Sequence, residues 1–372
     1  MPIYMDFHHF PEGINLEEIM QAHMSELAVQ NEYGISYLQY WVNSREGYIY
    51  CLMESPDPES CEKLHHAVDH DLACNIQEVD QDKLHAFMGM NIPHNNHLAL
   101  TPSGEVDKAH RGILMVNLRT LNSQYPYEIE PGAITVSYQP KSIGLLLIGR
   151  HNGRLYEHDE VDNLIAVFNT SSDAVNCAFE IQREFLEKIH NSTRAAWNIE
   201  FRISVTHDQP LKAIGGFFES SLKDLERFVL IAEPDSIVFS SNLKKQVYEL
   251  QTFDTVNKYR IFSPDEESFI QQMFAALQVH ACSELFGVED LARHMNCSRS
   301  TLYRRTLAVL GISPIKLIST YRLQTARHLI GKNVMNINQV AFEVGFSNPS
   351  YFTKLFKEAY GLLPSQVAIG LN

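Results

Sequence analysis

Histidine is concentrated at the amino-terminal end of the chain, where nine of the 17 histidines lie within the first 97 residues. Asp6 and His8 share one face of a predicted strand, and His66 and His70 lie four residues apart on a predicted helix, a spacing that can chelate an ion. Imidazole and carboxylate groups together bind nickel, zinc, cobalt or copper, and ligand type alone does not choose among these metals. The candidate metal ligands are Asp6, His8, His23, His65, His66 and His70. The alternative is that these are surface or core residues that bind no metal.

A second set of candidate residues lies at the other end of the chain, where one pattern occurs twice. Residues 288–314 and 336–364 each contain a short apolar-periodic segment, a tight polar turn, a second segment with Arg or Lys, and then Gly followed by Pro. This layout predicts a helix-turn-helix, whose second helix enters the major groove of DNA. Two copies on one chain can contact two successive grooves.

Helical spacing separates buried from outward positions in both copies. In the first copy Ser298 is the predicted N-cap and Leu302 the buried anchor. In the second copy Gly345 supplies the left-handed turn residue, and the predicted buried side chains are Tyr351, Phe352, Leu355 and Phe356. Residues expected to face base edges are Arg299, Ser300, Tyr303, Arg304, Asn348, Ser350, Thr353 and Lys354. Lys357, near the end of its helix, is expected to meet phosphate.

The carboxy-terminal stretch resembles the DNA-binding domain of the AraC/XylS family. The matching residues are 311–314, Arg322 with Leu323, Ala326 with Arg327, 341–346, 350–357, Gly361 and Pro364. One departure is Thr306, which stands where the family usually has a bulky apolar residue. The resemblance implies an all-α tandem helix-turn-helix domain over residues 267–372, with double-stranded DNA as its partner. A plain helical bundle with solvated basic residues is the alternative.

Charge differs sharply between this domain and the rest of the chain. The whole chain carries a net charge of −15, which alone argues against a nucleic-acid partner. From Ser283 onward, however, ten Lys and Arg stand against five Asp and Glu, which leaves 20 basic and 40 acidic residues in the preceding 282. Phosphate contacts are local and remote charge is screened, so a basic module on an acidic body suits a duplex. Because the excess of five is modest, we expect affinity to depend on base contacts and on dimerisation.

Residues 1–90 are predicted to form a ferredoxin-like domain with the order βαββαβ. Apolar Ile3, Met5 and Phe7 alternate with polar residues, as in a half-buried strand. The other predicted elements are helices at 16–32 and 58–70, hairpin strands at 37–42 and 48–53, and a strand at 75–79. If the apolar residues of the first strand face the helices, Asp6 and His8 face away from His23 and His65. A site using all four then needs a dimer interface or a sheet edge.

The same segment resembles a small family of ferredoxin-like proteins described as nickel-binding. The matching residues are 1–6 with His8, Ala22 with His23, Tyr33 with Gly34, 40–42, Cys51 with Leu52, 55–57, His65, His66 and His70. The family usually has Ala before its Pro-Asp pair and Gly after its last His, where this chain has Ser55 and Asp71. The resemblance implies nickel or another divalent transition metal as cofactor or effector. Such sheets often dimerise through the face that their helices leave free.

A second α+β domain is predicted over residues 108–263, after a polar linker at 91–108. Strands are expected at 113–118, 163–168, 201–205 and 236–240, and helices at 171–190 and 224–232, with a helix-like apolar run at 143–148. The order resembles a class III nucleotide cyclase domain, and the matching residues are 151–154, 166–168, 172–175, Arg202 with Ile203, and 232–234.

Catalytic residues of the cyclase family are incomplete in this chain. Cyclases hold two Mg²⁺ ions with two aspartates, and the corresponding positions carry Asn117 and Asp162, the latter without its flanking glycines. The position of the transition-state Asn has Lys223, whereas the Arg position is kept as Arg227. The resemblance therefore implies an inactive cyclase fold kept as a ligand-binding or dimerising scaffold. Nucleotide binding without turnover is the alternative.

The remaining features of the sequence bear on the cellular compartment of the protein. No segment approaches the ~18 apolar residues of a membrane span, and the first ten residues lack a signal-peptide pattern. Six cysteines without a CxxC pair fit a reducing cytoplasm. The sequence thus predicts a cytoplasmic, homodimeric transcriptional regulator that binds DNA, does not act as an enzyme, and senses a metal or small-molecule effector. The alternatives are a nucleotide cyclase or other nucleotide-binding enzyme, and a metal-binding or storage protein.

Overall fold

The chain folds into three successive units in a computed structural model. The structure describes residues 1–68, 73–90, 92–120, 134–156, 163–191, 199–250, 258–332 and 335–369. The first two units each contain a six-stranded sheet, and the third is helical. No helix in these ranges is long and apolar enough to cross a membrane.

The first unit has the predicted order of strand, helix, two strands, helix and strand. Its elements are β1 (Ile3–His9), α1 (Leu16–Val29), β2 (Ser36–Asn43), β3 (Tyr48–Glu54), α2 (Pro58–Ala67) and β4 (Asn75–Glu78). Asn15 and Asp57 begin the two helices, each with a side-chain oxygen that accepts from a backbone N–H of the first turn. Helix α1 is shorter than predicted, because it passes into a 3₁₀ turn at Gln30–Tyr33 before Gly34. Helix α2 ends at Ala67, and residues 69–70 of its predicted range lie outside the described residues.

The faces of β1 are the reverse of the sequence expectation. Met5 and Phe7 lie on the face turned towards the second unit, whereas Tyr4, Asp6 and His8 lie on the face covered by α1 and α2. The expectation failed because it treated the helices as the only cover for an apolar face. A second sheet covers the other face, so the helix side can hold polar groups that pair with one another.

The predicted polar linker is folded and extends the first sheet. After α3 (Gln81–Met88), the short strands β5 (His94–Asn95) and β6 (Leu98–Ala99) form a hairpin, and β6 pairs parallel to β2. The strand order is β4-β1-β3-β2-β6-β5. Asn96 and His97, at the tip of the hairpin, have φ angles of 46° and 67°. These values match the left-handed pair of a type I′ turn, in which Asn and Gly are preferred.

The second unit is a sheet with helices on both faces. Its strands are β7 (Arg111–Thr120), β8 (Arg154–Tyr156), β9 (Asn163–Phe168), β10 (Ile199–Asp208), β11 (Ser236–Phe239) and β12 (Tyr259–Ile261), in the order β12-β11-β10-β7-β9-β8. Its helices are α4 (Ile134–Arg150), α5 (Ser171–Asn191), α6 (Glu219–Ile231) and α7 (Lys244–Leu250). Four strands and two helices match predicted segments, although α6 begins at Glu219 rather than at residue 224.

The two sheets share one hydrophobic core. Met5, Phe7 and Trp41 of the first sheet belong to the same buried cluster as Ile113 and Met115 of the second. Side chains from α3 and α6 and from the segment before α6 fill the space between the sheets, among them Leu84, Phe87, Phe217, Phe218 and Leu225. The sheet face that we expected to be free for dimerisation is therefore buried within the chain.

A buried ion pair lies where the chain enters the second sheet. The Arg111 side chain is 1% exposed, and its guanidinium donates to both carboxylate oxygens of Asp107 at 3.0 and 2.8 Å. Its Nε donates to the carbonyl oxygen of Phe87 at 3.0 Å. Arg111 thus ties the end of α3 and the segment that follows β6 to the first residue of β7.

The third unit contains seven helices among the described residues. These are α8 (Pro264–His280), α9 (Val288–His294), α10 (Arg299–Leu310), α11 (Pro314–Gly331), α12 (Ile337–Glu343), α13 (Pro349–Tyr360) and α14 (Pro364–Ile369). The predicted long connecting helix is confirmed as α11, with Pro314 in its first turn. The sequence interpretation did not identify α8. It begins with a capping box between Ser263 and Glu266 and packs into one core with α6, α9, α10 and α11.

Replacing Asp107 by alanine leaves the Arg111 guanidinium buried without its carboxylate. Removal of one partner of a buried ion pair costs on the order of 3–5 kcal/mol. We expect Asp107→Ala to lower the free energy of unfolding by about that much, measured by urea unfolding followed by circular dichroism. Glu105→Ala, at an exposed position two residues away, is the matched control. A loss of less than about 1 kcal/mol for Asp107→Ala would show that the pair does not hold this junction.

Candidate nucleic-acid interface and metal centre

The first helix-turn-helix is formed by α9 and α10. Asn296 takes a left-handed φ of 50° in the turn, and the Ser298 hydroxyl accepts from the backbone N–H of Thr301 at 3.1 Å. Leu302 is fully buried, as predicted. Of the predicted base-facing residues, Arg299, Ser300 and Arg304 are exposed. Tyr303 is half-buried against the domain core.

The second helix-turn-helix is formed by α12 and α13. Gly345 has the predicted left-handed backbone, with φ of 88°. Asn348 begins α13, because its side-chain oxygen accepts from the backbone N–H groups of Ser350 and Tyr351 at 2.9 and 3.1 Å. This bond uses the amide oxygen of Asn348 and leaves its NH₂ group free to turn towards a ligand. Ser350, Lys354 and Lys357 are exposed, and Thr353 is half-buried.

Tyr351 is a correction to the predicted buried set. Its side chain is 55% exposed, whereas Phe352 and Phe356 are fully buried. One residue corresponds to about 100° of rotation on a helix, so Tyr351 lies beside the buried stripe rather than on it. It therefore joins the exposed surface of α13 that carries Ser350 and Lys354, which the periodicity argument missed.

The two copies are fixed to one another through α11. Arg322 on this helix donates to the carbonyl oxygens of Ala281 and Ser283 at 2.7 and 2.8 Å. At the turn of the second copy, a Cβ on Gly345 would meet the carbonyl oxygen of Cys282 at 2.9 Å. Thr306 is fully buried, and its hydroxyl lies 4.0 Å from the Met273 sulfur of α8. The unusual Thr therefore packs against α8.

Three of the predicted metal ligands come together at the other end of the molecule. Asp6, His8 and His65 are buried, and one ligand atom of each lies within 4.8 Å of the other two. The Nε2 atom of His65 is 3.1 Å from Asp6 Oδ2, and that of His8 is 3.6 Å from the same oxygen. The other Asp6 oxygen accepts from the backbone N–H of Cys51 at 3.0 Å. This bond fixes the orientation of the carboxylate.

A second carboxylate, Glu26 on α1, supports this cluster from behind. Its Oε1 is 3.2 Å from His65 Nδ1, and its Oε2 is 3.6 Å from the Nδ1 of His23. Burial alone would lower the pKa of His65, but hydrogen bonds to Asp6 and Glu26 raise this pKa to about 10. Burial alone would raise the pKa of Asp6, but His8 and His65 hold it well below its ordinary value. The charged groups of this cluster are therefore buried and paired with one another.

Known proteins with related sequences match both ends of the chain. Residues 291–368 match a family model described as a helix-turn-helix domain. The HTH-type transcriptional activator RhaS of Klebsiella pneumoniae strain 342 is 22% identical over 237 residues, which cover 62% of this chain and 79% of RhaS. The chain is an AraC-type DNA-binding transcriptional regulator. The regulator also matches histidine kinase P4 of Formosa agariphila, with 31% identity over 112 residues, but spans only 8% of that protein.

At the amino terminus, residues 4–79 of the regulator match a family model described as nickel responsive protein SCO4226-like. The crystal structure of SCO4226 from Streptomyces coelicolor A3(2) is 35% identical, covers 21% of the regulator and 94% of SCO4226, and gives a TM-score of 0.20. Neither of these two family models describes an enzyme.

The remaining predicted ligands of the regulator separate into three cases. His23 contacts Glu26 but is not among the three clustered ligands. His66 is exposed on α2, because the neighbouring His65 takes the inward position. His70 lies outside the described residues. Glu26 was missed, although its position three residues after His23 on a helix places the two on one face.

Residues at the cyclase-like positions are bonded to neighbours. The Asn117 amide donates to the side-chain oxygen of Asn163 at 2.7 Å. Lys223 pairs with Glu219 at 2.5 Å, and Arg227 with Asp224 at 2.8 Å. Asp162 lies outside the described residues. A neutral amide at residue 117 provides no carboxylate charge for a metal ion.

Proposed function

We propose that this regulator places α10 and α13 in two adjacent major grooves and adjusts its DNA binding in response to a divalent transition metal. In this proposal residues 1–90 form a ferredoxin-like metal-sensing domain. Residues 108–263 form a cyclase-like scaffold without turnover, and residues 267–372 form the DNA-binding domain. The observation that carries the metal half is the buried set of Asp6, His8 and His65. The DNA half is carried by the two capped, exposed recognition helices.

The proposed base-reading residues are those at the exposed starts of the two recognition helices. Arg299 and Arg304 can bond bidentately to guanine, and the free NH₂ of Asn348 can donate to a base edge. The other candidate base contacts are Ser300, Tyr303, Ser350, Thr353 and Lys354. Lys357 lies two turns after Ser350 on α13 and would contact a phosphate group of the DNA. The exposed ring of Tyr351 offers a further apolar contact, for example to a thymine methyl group.

The donor set of the proposed metal site suits nickel, zinc or a similar ion. Two imidazoles and one carboxylate are the ligand types that such ions take. Glu26 accepts from the Nδ1 side of His65 and so leaves Nε2 for the ion, which is the usual arrangement behind a metal-bound histidine. The likeness to a nickel-responsive family over residues 4–79 supports nickel as the first ion to test.

Direct contacts between the second and third units offer a route from sensor to DNA. Gln271 of α8 donates to Asp224 of α6 at 2.9 Å, and Glu267 of α8 accepts from the backbone N–H and the hydroxyl of Ser241. Arg260 donates to the carbonyl oxygen of Val309, the penultimate residue of α10. A shift of the second unit would therefore reach the first recognition helix both through Arg260 and through the core that α6, α8 and α10 share.

We further propose that the regulator acts in the cytoplasm as a homodimer. Its free cysteines fit a reducing compartment. A homodimer would increase the affinity of a domain whose positive charge is modest. It must form through a surface other than the buried face of the first sheet, because Met5, Phe7 and Trp41 of that face are covered by the second unit.

We expect Arg304→Ala to weaken binding to the operator by about 1–3 kcal/mol, because a bidentate contact to guanine reads one base. Binding to unrelated DNA should be nearly unchanged. Lys357→Ala is the matched comparison. It should weaken both DNAs alike and flatten the dependence of affinity on salt. Both are measured by gel shift with an operator fragment and its scrambled version at several salt concentrations. Equal losses on the two DNAs for Arg304→Ala would exclude base reading by this residue.

Glutamine at His65 is expected to remove one nickel ion per chain, because it deletes a central ligand of the buried set. Glu26→Gln should retain the ion but weaken its binding by roughly 10–100-fold, as loss of a supporting carboxylate does. Equilibrium dialysis and metal analysis of the full chain measure both effects. His66→Ala, on the exposed side of the same helix, should bind as wild type does.

The link between metal and DNA is tested by adding nickel to the gel shift. We expect nickel to change the affinity of the wild-type chain for its operator and to leave His65→Gln unaffected. If nickel binds at His65 but changes no DNA affinity, the amino-terminal domain stores metal and does not sense it. If no metal binds to the wild type, the metal half of the proposal fails and the DNA half stands.

A further inference from the structure

Strain at the tip of the β5–β6 hairpin is concentrated at one histidine. His97 occupies the second left-handed position of the turn, with φ of 67°. Glycine is preferred there, and a side chain with a Cβ is strained in this conformation. The hairpin is nevertheless held closely to the first sheet, because the carbonyl oxygen of His97 accepts from the backbone N–H of Tyr40 at 2.9 Å. A strained residue held firmly in place points to a use for its side chain.

The half-buried ring of His97 lies beside the buried imidazole of His23. His23 is only 4% exposed, its Nδ1 lies 3.6 Å from a Glu26 oxygen, beyond hydrogen-bond distance, and its Nε2 has no hydrogen-bond partner among the described residues. The Nδ1 atom of His97 is also buried without a partner. Buried polar atoms are nearly always hydrogen-bonded, so these nitrogens are available to a ligand. The aromatic rings of Tyr37 and Tyr40 pack against His23, with ring centroids 4.9 and 4.2 Å from its own.

We propose that His23 and His97 bind a second divalent transition-metal ion, with His94 as a third imidazole. The ring centroids of His23 and His97 are 5.8 Å apart. Two imidazoles that share one ion have centroids roughly 5–6 Å apart, because each metal–nitrogen bond is about 2 Å. His94 is exposed at the start of the hairpin, with its ring centroid 6.2 Å from that of His97. Its side chain can turn to complete the set, with water as a further ligand.

Glu26 connects this second site to the first. One carboxylate oxygen accepts from His65 Nδ1, and the other faces His23 Nδ1. Because this carboxylate lies on the Nδ1 side of both rings, it leaves the two Nε2 atoms for other partners, and that of His65 meets Asp6. Because His94 and His97 lie outside residues 4–79, the second site joins the amino-terminal domain to the segment that follows it.

An ion at the second site would fasten the hairpin to the first sheet. Eight residues after Ala99, the chain reaches Asp107, whose carboxylate bonds Arg111 at the start of the second sheet. Metal binding at the second site would thus change the position of the junction between the two units. This regulatory consequence rests on the proposed metal-sensing function, whereas the existence of the second site does not.

Counting the ions on the full-length chain tests the inference. With saturating nickel, and separately zinc, followed by removal of free metal, we expect two ions per wild-type chain. His97→Gly and His65→Gln should each retain one ion, the double variant none, and His66→Ala two. Glycine suits the left-handed turn, so metal-free His97→Gly should unfold at the same temperature as wild type or above it. This second readout separates a lost ligand from a lost fold.

Cobalt gives a spectroscopic version of the same test. In His65→Gln loaded with cobalt, the remaining ion should show visible absorption that disappears when His97→Gly is added. One ion in wild type that survives His97→Gly would overturn the second site and leave the proposed function intact. An ion that is lost with His97→Gly but unaffected by His65→Gln would establish the second site and overturn the first. Two ions in His97→Gly would exclude His97 as a ligand.

Discussion

Burial of one face of the first sheet against the second sheet determines the polarity of the whole amino-terminal half. Met5, Phe7 and Trp41 contribute apolar surface that would otherwise face water or another copy of the chain. With those residues on the interdomain side, the period of two along β1 places Asp6 and His8 under the helices. A shift of one residue in the pairing register of β1 would exchange its two faces and separate Asp6 and His8 from His65.

The cluster under the helices is tolerable only because its charges are paired. Asp6, His65 and Glu26 form a continuous line of contacts in a region that excludes water. Against the cost of burial, Asp6 and Glu26 raise the pKa of His65, and His8 and His65 lower the pKa of Asp6. A set of polar groups held this firmly is preorganised for a ligand, since little rearrangement is needed when an ion replaces protons. At His23 and His97 the pairing is incomplete, and that difference separates the two candidate sites.

In the DNA-binding domain, by contrast, charged side chains lie at the surface rather than in buried pairs. Five of its ten basic residues are exposed on α10 and α13, whereas the acidic excess belongs to the first 282 residues. Two contacts hold the two copies at a fixed separation. Arg322 donates a hydrogen bond to the carbonyl oxygen of Ala281, and Gly345, without a Cβ, packs against the carbonyl oxygen of Cys282. Two recognition helices on one rigid frame can address successive grooves only if that separation is constant. Helix α8 then connects this frame to the second unit through Gln271 and Glu267.

Local patterns in the sequence were sufficient to predict the two helix-turn-helix copies, because their caps, turns and buried anchors are set by neighbours within a few residues. Ser298, Gly345 and Pro314 illustrate this. The sequence also predicted Asp6, His8 and His65 as candidate ligands, but it could not decide on which side of β1 they lie. That choice depends on a sheet more than a hundred residues away. Tertiary structure alone brought Glu26 to His65 and His97 to His23, because contacts between distant segments have no signature in local spacing.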